Sequence, residues 1–482
     1  MQLAENLVST ARERWNAEVH PDVDWAHDFG PGRGRGARAQ RAIEEGELLL
    51  RIPIAAAIGP EFPVQEDPFA VAAGRSAASD VSLGGPAGTA EAARKLLRER
   101  KAPDLETTVL LLLHEVGRGS ASAYADYINL LPSDFATQLV AFTPSELEGL
   151  RGTSLEGCAE KLQCALRESF VHFVQPLLRE TGARLWSPES CDFERFQWSA
   201  SMVTSRAFHC GVVGPYLVPL ADMLNHSTLD PHTELEPDVE QRVFELWARR
   251  RIEAGDEILQ SYGCLSTAQL LKGYGFVEPT FLSNPFDSIA VDAADLVAAS
   301  LLFQDGGRQA NDLVARTKRQ RVDESGERRA ALSSRGKMLT KIGLLCDGRL
   351  HVHRDGVVAC DRLRTACLVL SLLSDDEFSD YLGCCRDSAV LTIRASAEED
   401  LLNHAEKVGD LWVLPVSFAL EAALLQLALL ALTNAAGRIP GSLAEDRAAL
   451  AAVDADLAAN FAKALRLRVA ERCVLAAALG DL

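Results

Sequence analysis

The chain has 482 residues, 48% of them hydrophobic, which is more than one ordinary core accommodates, so two domains or more are expected. A formal net charge of −19 argues against a broad nucleic-acid grip, which needs clustered Lys and Arg, and suits a basic, lysine-bearing protein partner. Eleven cysteines, among them Cys158, Cys210, Cys346 and the vicinal pair Cys384-Cys385, show no CxxC or zinc-ligand spacing; they read as reduced, mostly buried small hydrophobes, with no metal site.

From Met1 to about Trp15 the chain is an amphipathic, charged stretch without the apolar core of a secretory signal, which predicts a cytoplasmic, nuclear or chloroplast site. Between Gly30 and Pro53 a glycine-rich loop, the turn Glu44-Glu45-Gly46-Glu47 and the apolar run Leu48-Leu49-Leu50 predict loop, strand, turn and strand. Gly32-Arg33-Gly34-Arg35-Gly36-Ala37 formally fits GxGxxA. A dinucleotide fingerprint, however, requires a preceding strand and a following helix, and neither pattern is present. The Ala-, Gly- and Ser-rich residues 72–90 predict a mobile connection.

Continuous apolar residues from Val109 to Leu113, then apolar residues at spacings of three and four from Ser145 to Glu180, predict a helical middle section. The β pattern returns near Tyr216 and runs through Val243 to Trp247, the turn Glu253 to Glu257, and Ile258 to Tyr262. One β domain is therefore split by a helical insertion. After about Asp295 the chain is Leu- and Ala-rich with helical spacing, broken by the charged segment Arg316 to Lys337 and the turn Gly437 to Gly441. The basic run Lys318 to Arg321 reads as a solvated face, and Ala419 to Leu432 as a buried helix too short to span a bilayer. His351-x-His353 places two imidazoles on one strand face without a nearby thiol and reads as coincidence.

Two segments carry chemistry. Leu217 to Leu224 is largely apolar and ends abruptly in Asn225-His226-Ser227; alone, this is a turn with a capping hydroxyl. Gly255 to Gln260 repeats the arrangement and ends in Ser261-Tyr262-Gly263, a tyrosine beside open backbone.

In this order the segments resemble the SET-domain methyltransferases, in particular the Rubisco large-subunit methyltransferase branch. Gly34-Arg35-Gly36 through Ile43, Gly46-Glu47 and Ile52-Pro53 is similar to the family's cofactor loop and first strands. Further likenesses follow in Tyr127-Ile128-x-x-Leu131-Pro132, Phe196-x-Trp198, Ser205-Arg206-Ala207-Phe208, Leu271 to Phe276, and Ala464 to Leu475.

The resemblance implies an α+β fold: a SET domain of short β-sheets with a pseudoknot and a helical insertion, then an all-helical substrate-binding domain. Its parts would be residues 1–104, an insertion at 105–212, the catalytic part at 213–285 and the helical domain at 295–482. It implies transfer of a methyl group from S-adenosylmethionine to lysine in a non-histone protein by a monomer that contacts neither nucleic acid nor membrane. Tyr262 would be catalytic. Arg33, Gly34, Arg35, Arg206, Asn225 and His226 would hold the cofactor, and Asp222, Phe208, Tyr274 and Phe276 would meet the substrate.

The acceptor amine must arrive neutral although lysine's ordinary pKa is near 10.4, so a desolvating, aromatic channel is needed. Two departures from the Rubisco enzymes are Ala37-Arg38, where they carry hydrophobic residues, and Cys210, where they carry a substrate-contacting arginine. A related branch methylates histidine on actin; it has an amide where this chain has Phe208 and a tryptophan where it has Ala221, and Phe208 cannot bond an imidazole's second nitrogen. A third reading is a SET scaffold that binds a partner without turnover.

Overall fold

Leu7, Ala11 and Trp15 are buried at spacings of four, as expected of an amphipathic helix laid on a core, and α1 (Gln2–Arg14) closes with Arg12 and Arg14 at its negative end. The computed structural model describes residues 2–30, 33–60, 87–181, 184–187, 190–210, 213–292, 349–353, 406–408, 411–413, 436–453 and 459–480. Gly32, most of the 72–90 stretch, Cys346, Cys384-Cys385, the charged segment 316–337 and the apolar run 419–432 lie outside them.

Four strands precede the helical section: β1 (Glu18–Val19), β2 (Val23–Asp28), β3 (Arg35–Ala39) and β4 (Leu48–Pro53). The loop at Gly34 is followed by a strand, so the helix that a dinucleotide site requires is not there. Leu49 and Leu50 are adjacent yet both fully buried; a register shift against the partner strand between Leu48 and Leu50 breaks the alternation that would expose one of them.

The helical section comprises α2 (Ala87–Glu99), α3 (Asp104–Arg118), α4 (Ala125–Ile128), α5 (Pro144–Leu147), α6 (Cys158–Ser169), α7 (Gln175–Thr181) and α8 (Phe193–Arg206). Helix α3 is buried continuously from Thr107 to Glu115. Its neighbours dock on its backbone: Trp186 Nε1 donates to the Leu110 carbonyl (2.8 Å) and Ser199 Oγ to that of Val109 (2.9 Å).

The hairpin β5 (Phe208–Cys210) and β6 (Val213–Tyr216) follows, then β7 (Asn225–His226), β8 (Thr233–Asp238), β9 (Val243–Ala248) and β10 (Glu257–Gln260). Strands from both sides of the helices join one eight-stranded sheet, ordered β1-β4-β9-β8-β10-β3-β2, with β7 on β10. The split β domain is therefore a single sheet. Strand β7 runs parallel to β10, with Asn225 opposite Leu259 and His226 opposite Gln260, which draws the two polar segment ends together.

Two compact units emerge: Met1–Phe142, Gly157–Leu265 and Gln269–Phe276 form the first, and Thr143–Glu156, Ser266–Ala268 and Val277–Leu482 the second. Helix α9 (Thr267–Tyr274) contributes to both. In the second unit, β11 (Ser288–Asp292) pairs with β12 (Arg349–His353), and β13 (Glu406–Val408) with β14 (Leu411–Val413). The region beyond 295 is therefore not helical throughout, because Leu-rich spacing does not register short pairs of strands.

Helices α10 (Leu443–Ala452) and α11 (Ala459–Gly480) pack through a buried cluster. Asp446, with its side chain 4% exposed, takes hydrogen bonds from both Arg468 and Arg472. Arg472 also donates to the carbonyls of Ile439, Pro440 and Gly441, fixing the expected turn there. Ser154 of the same unit donates to Glu471, and Gly149 lies so close to α11 that a Cβ would sit 2.7 Å from Ala464.

Candidate active site

A cleft in the first unit is lined by Ser205, Arg206, Ala207, Phe208, His209, Asp222, Gln260, Ser261, Tyr262 and Tyr274. Five residues expected at the site, Tyr262, Arg206, Asp222, Phe208 and Tyr274, thus converge from the end of α8, the start of β5, a short 3-10 turn at Ala221–Met223, the segment after β10 and the end of α9.

Tyr262 is held from three sides. Its hydroxyl donates to the Leu224 carbonyl (2.7 Å), and its backbone N–H donates to His226 Nδ1 (3.0 Å). His226 Nδ1 also lies 3.2 Å from the Gln260 carbonyl, and Nε2 lies 3.0 Å from Thr228 Oγ1, so the ring is held at both nitrogens. The ring stacks between His226 (centroids 4.8 Å apart) and Tyr274 (4.7 Å), with Phe276 edge-on at 6.4 Å. Burial raises the Tyr262 hydroxyl well above its ordinary pKa, so it stays a neutral phenol. It can orient a nucleophile; it cannot deprotonate one.

Asp222 borders the cleft as a fully buried carboxyl. Its Oδ2 accepts from Tyr127 Oη (2.8 Å) and lies 3.6 Å from Arg206 Nη1, which donates to the Asp222 backbone carbonyl (2.9 Å). Burial pushes the carboxyl up to about 6, against the opposing pull of Arg206 and of the Tyr127 hydrogen bond.

A second group lies at the glycine loop. Gly34 adopts φ 66°, in the left-handed region, and its backbone closes the turn through Gly34 N–H to the Gly30 carbonyl (2.9 Å). Asn225 Nδ2 donates to Glu257 Oε1 (2.7 Å) and to the Arg33 carbonyl (3.2 Å), while Arg33 Nη1 lies 3.0 Å from Glu257 Oε2. Arg35 opens β3 with its side chain exposed and does not line the cleft. Ala37 is fully buried opposite Ile258, so the small residue fits a close β3–β10 approach.

The residues the sequence does not assign are Tyr127, Glu257 and Gln260. Tyr127 carries a signal as part of the Tyr-Ile-x-x-Leu-Pro element; Glu257 reads only as a turn residue. Among the described residues, no group of three metal-ligating side chains gathers, and no helix is long and apolar enough to cross a membrane.

The family model described as "SET domain" matches residues 34–263. The N-lysine methyltransferase SETD6 of Rattus norvegicus is 26% identical over 368 residues, 73% of this chain and 66% of that protein. The ribosomal lysine N-methyltransferase set10 of Schizosaccharomyces pombe is 27% identical over 199 residues, 40% of this chain and 34% of its own length. The chain thus spans less than two thirds of these curated relatives. A solved structure, the SET domain of LSMT bound to lysine and AdoHcy, matches with a TM-score of 0.61 at 17% identity, covering 100% of this chain and 90% of the other. That is a likeness of fold.

Proposed function

We propose that this chain, whose residues 34–263 match the SET-domain model, transfers a methyl group from S-adenosylmethionine to the side-chain amine of a lysine in a protein substrate. The observation that carries this reading is the aromatic enclosure of a neutral Tyr262, whose hydroxyl and amide are both anchored by the Asn225-His226 region.

The residues at the loop suit this cofactor. Both neighbours of Asn225 Nδ2 are acceptors, so its nitrogen is committed to them, and its amide oxygen remains to receive a cationic amine. Acidic Glu257 and Asp222 near the two groups favour a cation such as a sulfonium-bearing amino acid. The bound cofactor supplies an electrophilic methyl on sulfur. Asn225, His226 and the Arg33–Arg35 segment hold it; Arg206 and Asp222 form the polar border of the cleft.

The chain's own work is alignment and desolvation. Tyr262, with its proton given to the Leu224 carbonyl, turns its oxygen lone pairs to the arriving amine and fixes the direction of the nitrogen lone pair. Tyr274, Phe276 and Phe208 surround the lysine stem with apolar surface, which disfavours the ammonium form. Phe208 gives no hydrogen bond to a second ring nitrogen, which supports lysine over histidine as acceptor. A relative named as a ribosomal lysine N-methyltransferase supports a target other than histones.

Tyr262→Phe tests this assignment. Loss of the hydroxyl is expected to slow methyl transfer by about a hundredfold, because misalignment of reacting atoms by about an ångström costs that much, while leaving cofactor affinity within about twofold. Transfer at the wild-type rate would refute the role given to Tyr262.

A further inference from the structure

Glu257 lies outside the cleft and is nearly buried, its side chain 5% exposed. A buried carboxylate costs several kcal/mol unless its oxygens are satisfied, so its two partners are informative. One oxygen accepts from the Asn225 amide (2.7 Å) and the other pairs with the Arg33 guanidinium (3.0 Å). Asn225 Nδ2 also reaches the Arg33 carbonyl (3.2 Å), so Glu257, Asn225 and Arg33 close a ring.

The backbone places this ring at a junction. On one side β10 pairs with β3, with Glu257 opposite Arg38; on the other it pairs with β7, with Leu259 opposite Asn225. Between them Gly36 is bare for a reason: a Cβ there would lie 2.9 Å from both Asn225 Nδ2 and Glu257 Oε1. The loop, the Asn-His strand and the strand leading to Tyr262 thus meet at one acidic side chain.

We propose that Glu257 is a positioning residue for the cofactor: it commits the Asn225 amide nitrogen to the protein, leaves the amide oxygen for a cationic amine, and latches the Arg33–Arg35 segment against β7. The inference rests on the cofactor reading above. It assigns Glu257 no contact with the reacting atoms, so its loss should be felt in cofactor affinity before turnover.

The test is calorimetric titration of S-adenosylmethionine into the full chain, wild type and Glu257→Gln, with methyl-transfer kinetics and thermal unfolding of the cofactor-free proteins. The glutamine cannot serve Asn225 as an acceptor and neutralise Arg33 at once. Affinity is expected to fall about tenfold, as the Arg33 ion pair is lost and the Asn225 amide is left with a neutral acceptor, with the KM for the cofactor rising in parallel, the KM for the protein substrate unchanged and the unfolding midpoint retained. Arg33→Ala removes one arm of the latch at an exposed position and should weaken binding about threefold; it decides the matter if Glu257→Gln does not fold. Wild-type affinity in the variants would overturn the inference while leaving the cofactor reading intact. A wild-type chain that binds no S-adenosylmethionine would overturn both.

Discussion

Tyr127→Phe deletes one hydroxyl and keeps the ring, so it isolates the hydrogen bond to Asp222 (2.8 Å). Asp222 has its carboxyl raised from 3.8 to about 6 by burial, and therefore holds its proton more tightly folded than unfolded. The sign follows: its contribution to stability is fully present below pH 3.8 and is lost as pH rises through about 6. The Tyr127 hydroxyl limits that loss by solvating the carboxylate, and Arg206, 3.6 Å away, does the same by charge. Tyr262, also on this cleft, stays neutral and supplies no charge.

Without the hydroxyl the carboxyl moves further up. At pH 8 the variant loses a hydrogen bond to a charged group, about 1.5–3 kcal/mol; at pH 5, where the carboxyl is protonated in both proteins, it loses a neutral one, about 0.5–1.5 kcal/mol. Denaturant unfolding of wild type and variant at the two pH values measures the difference directly. A penalty equal at both, or larger at pH 5, would mean that the hydroxyl does not act through Asp222.

Other outcomes follow from contacts elsewhere. Gly36→Ala puts a Cβ 2.9 Å from Asn225 Nδ2 and Glu257 Oε1, and should weaken S-adenosylmethionine binding at least about tenfold by displacing that pair, as read by calorimetry. Asp446→Ala strips Arg468 and Arg472 of their buried carboxylate and should cost about 3–5 kcal/mol, seen as a lower unfolding transition of the second unit in scanning calorimetry.

What the sequence makes legible here is whatever is local or ordered along the chain. Asn225-His226 and Ser261-Tyr262 stand out because each ends an apolar run, and the structure pairs the strands just before and at them, Leu259 against Asn225. The helical reading of Val109 to Leu113 holds because a fully apolar stretch in a long helix has to be buried. Glu257 and Tyr127 do not stand out, since their roles depend on partners 32 and 95 residues away. A charged residue in a turn and an aromatic in a short helix look ordinary until those partners are in place. The strands at Glu406–Val408 and Leu411–Val413 escape for another reason: segments of three residues carry too few alternations to compete with a Leu-rich background.

The central claim is that this chain methylates lysine. Incubating it with isotopically labelled S-adenosylmethionine and a cell extract, then locating the label by mass spectrometry, tests that most directly. The account predicts label on a lysine side chain of a protein, and none when Tyr262→Phe replaces wild type under the same short incubation. Label on histidine, or no label with wild type under conditions where the cofactor binds, would contradict it.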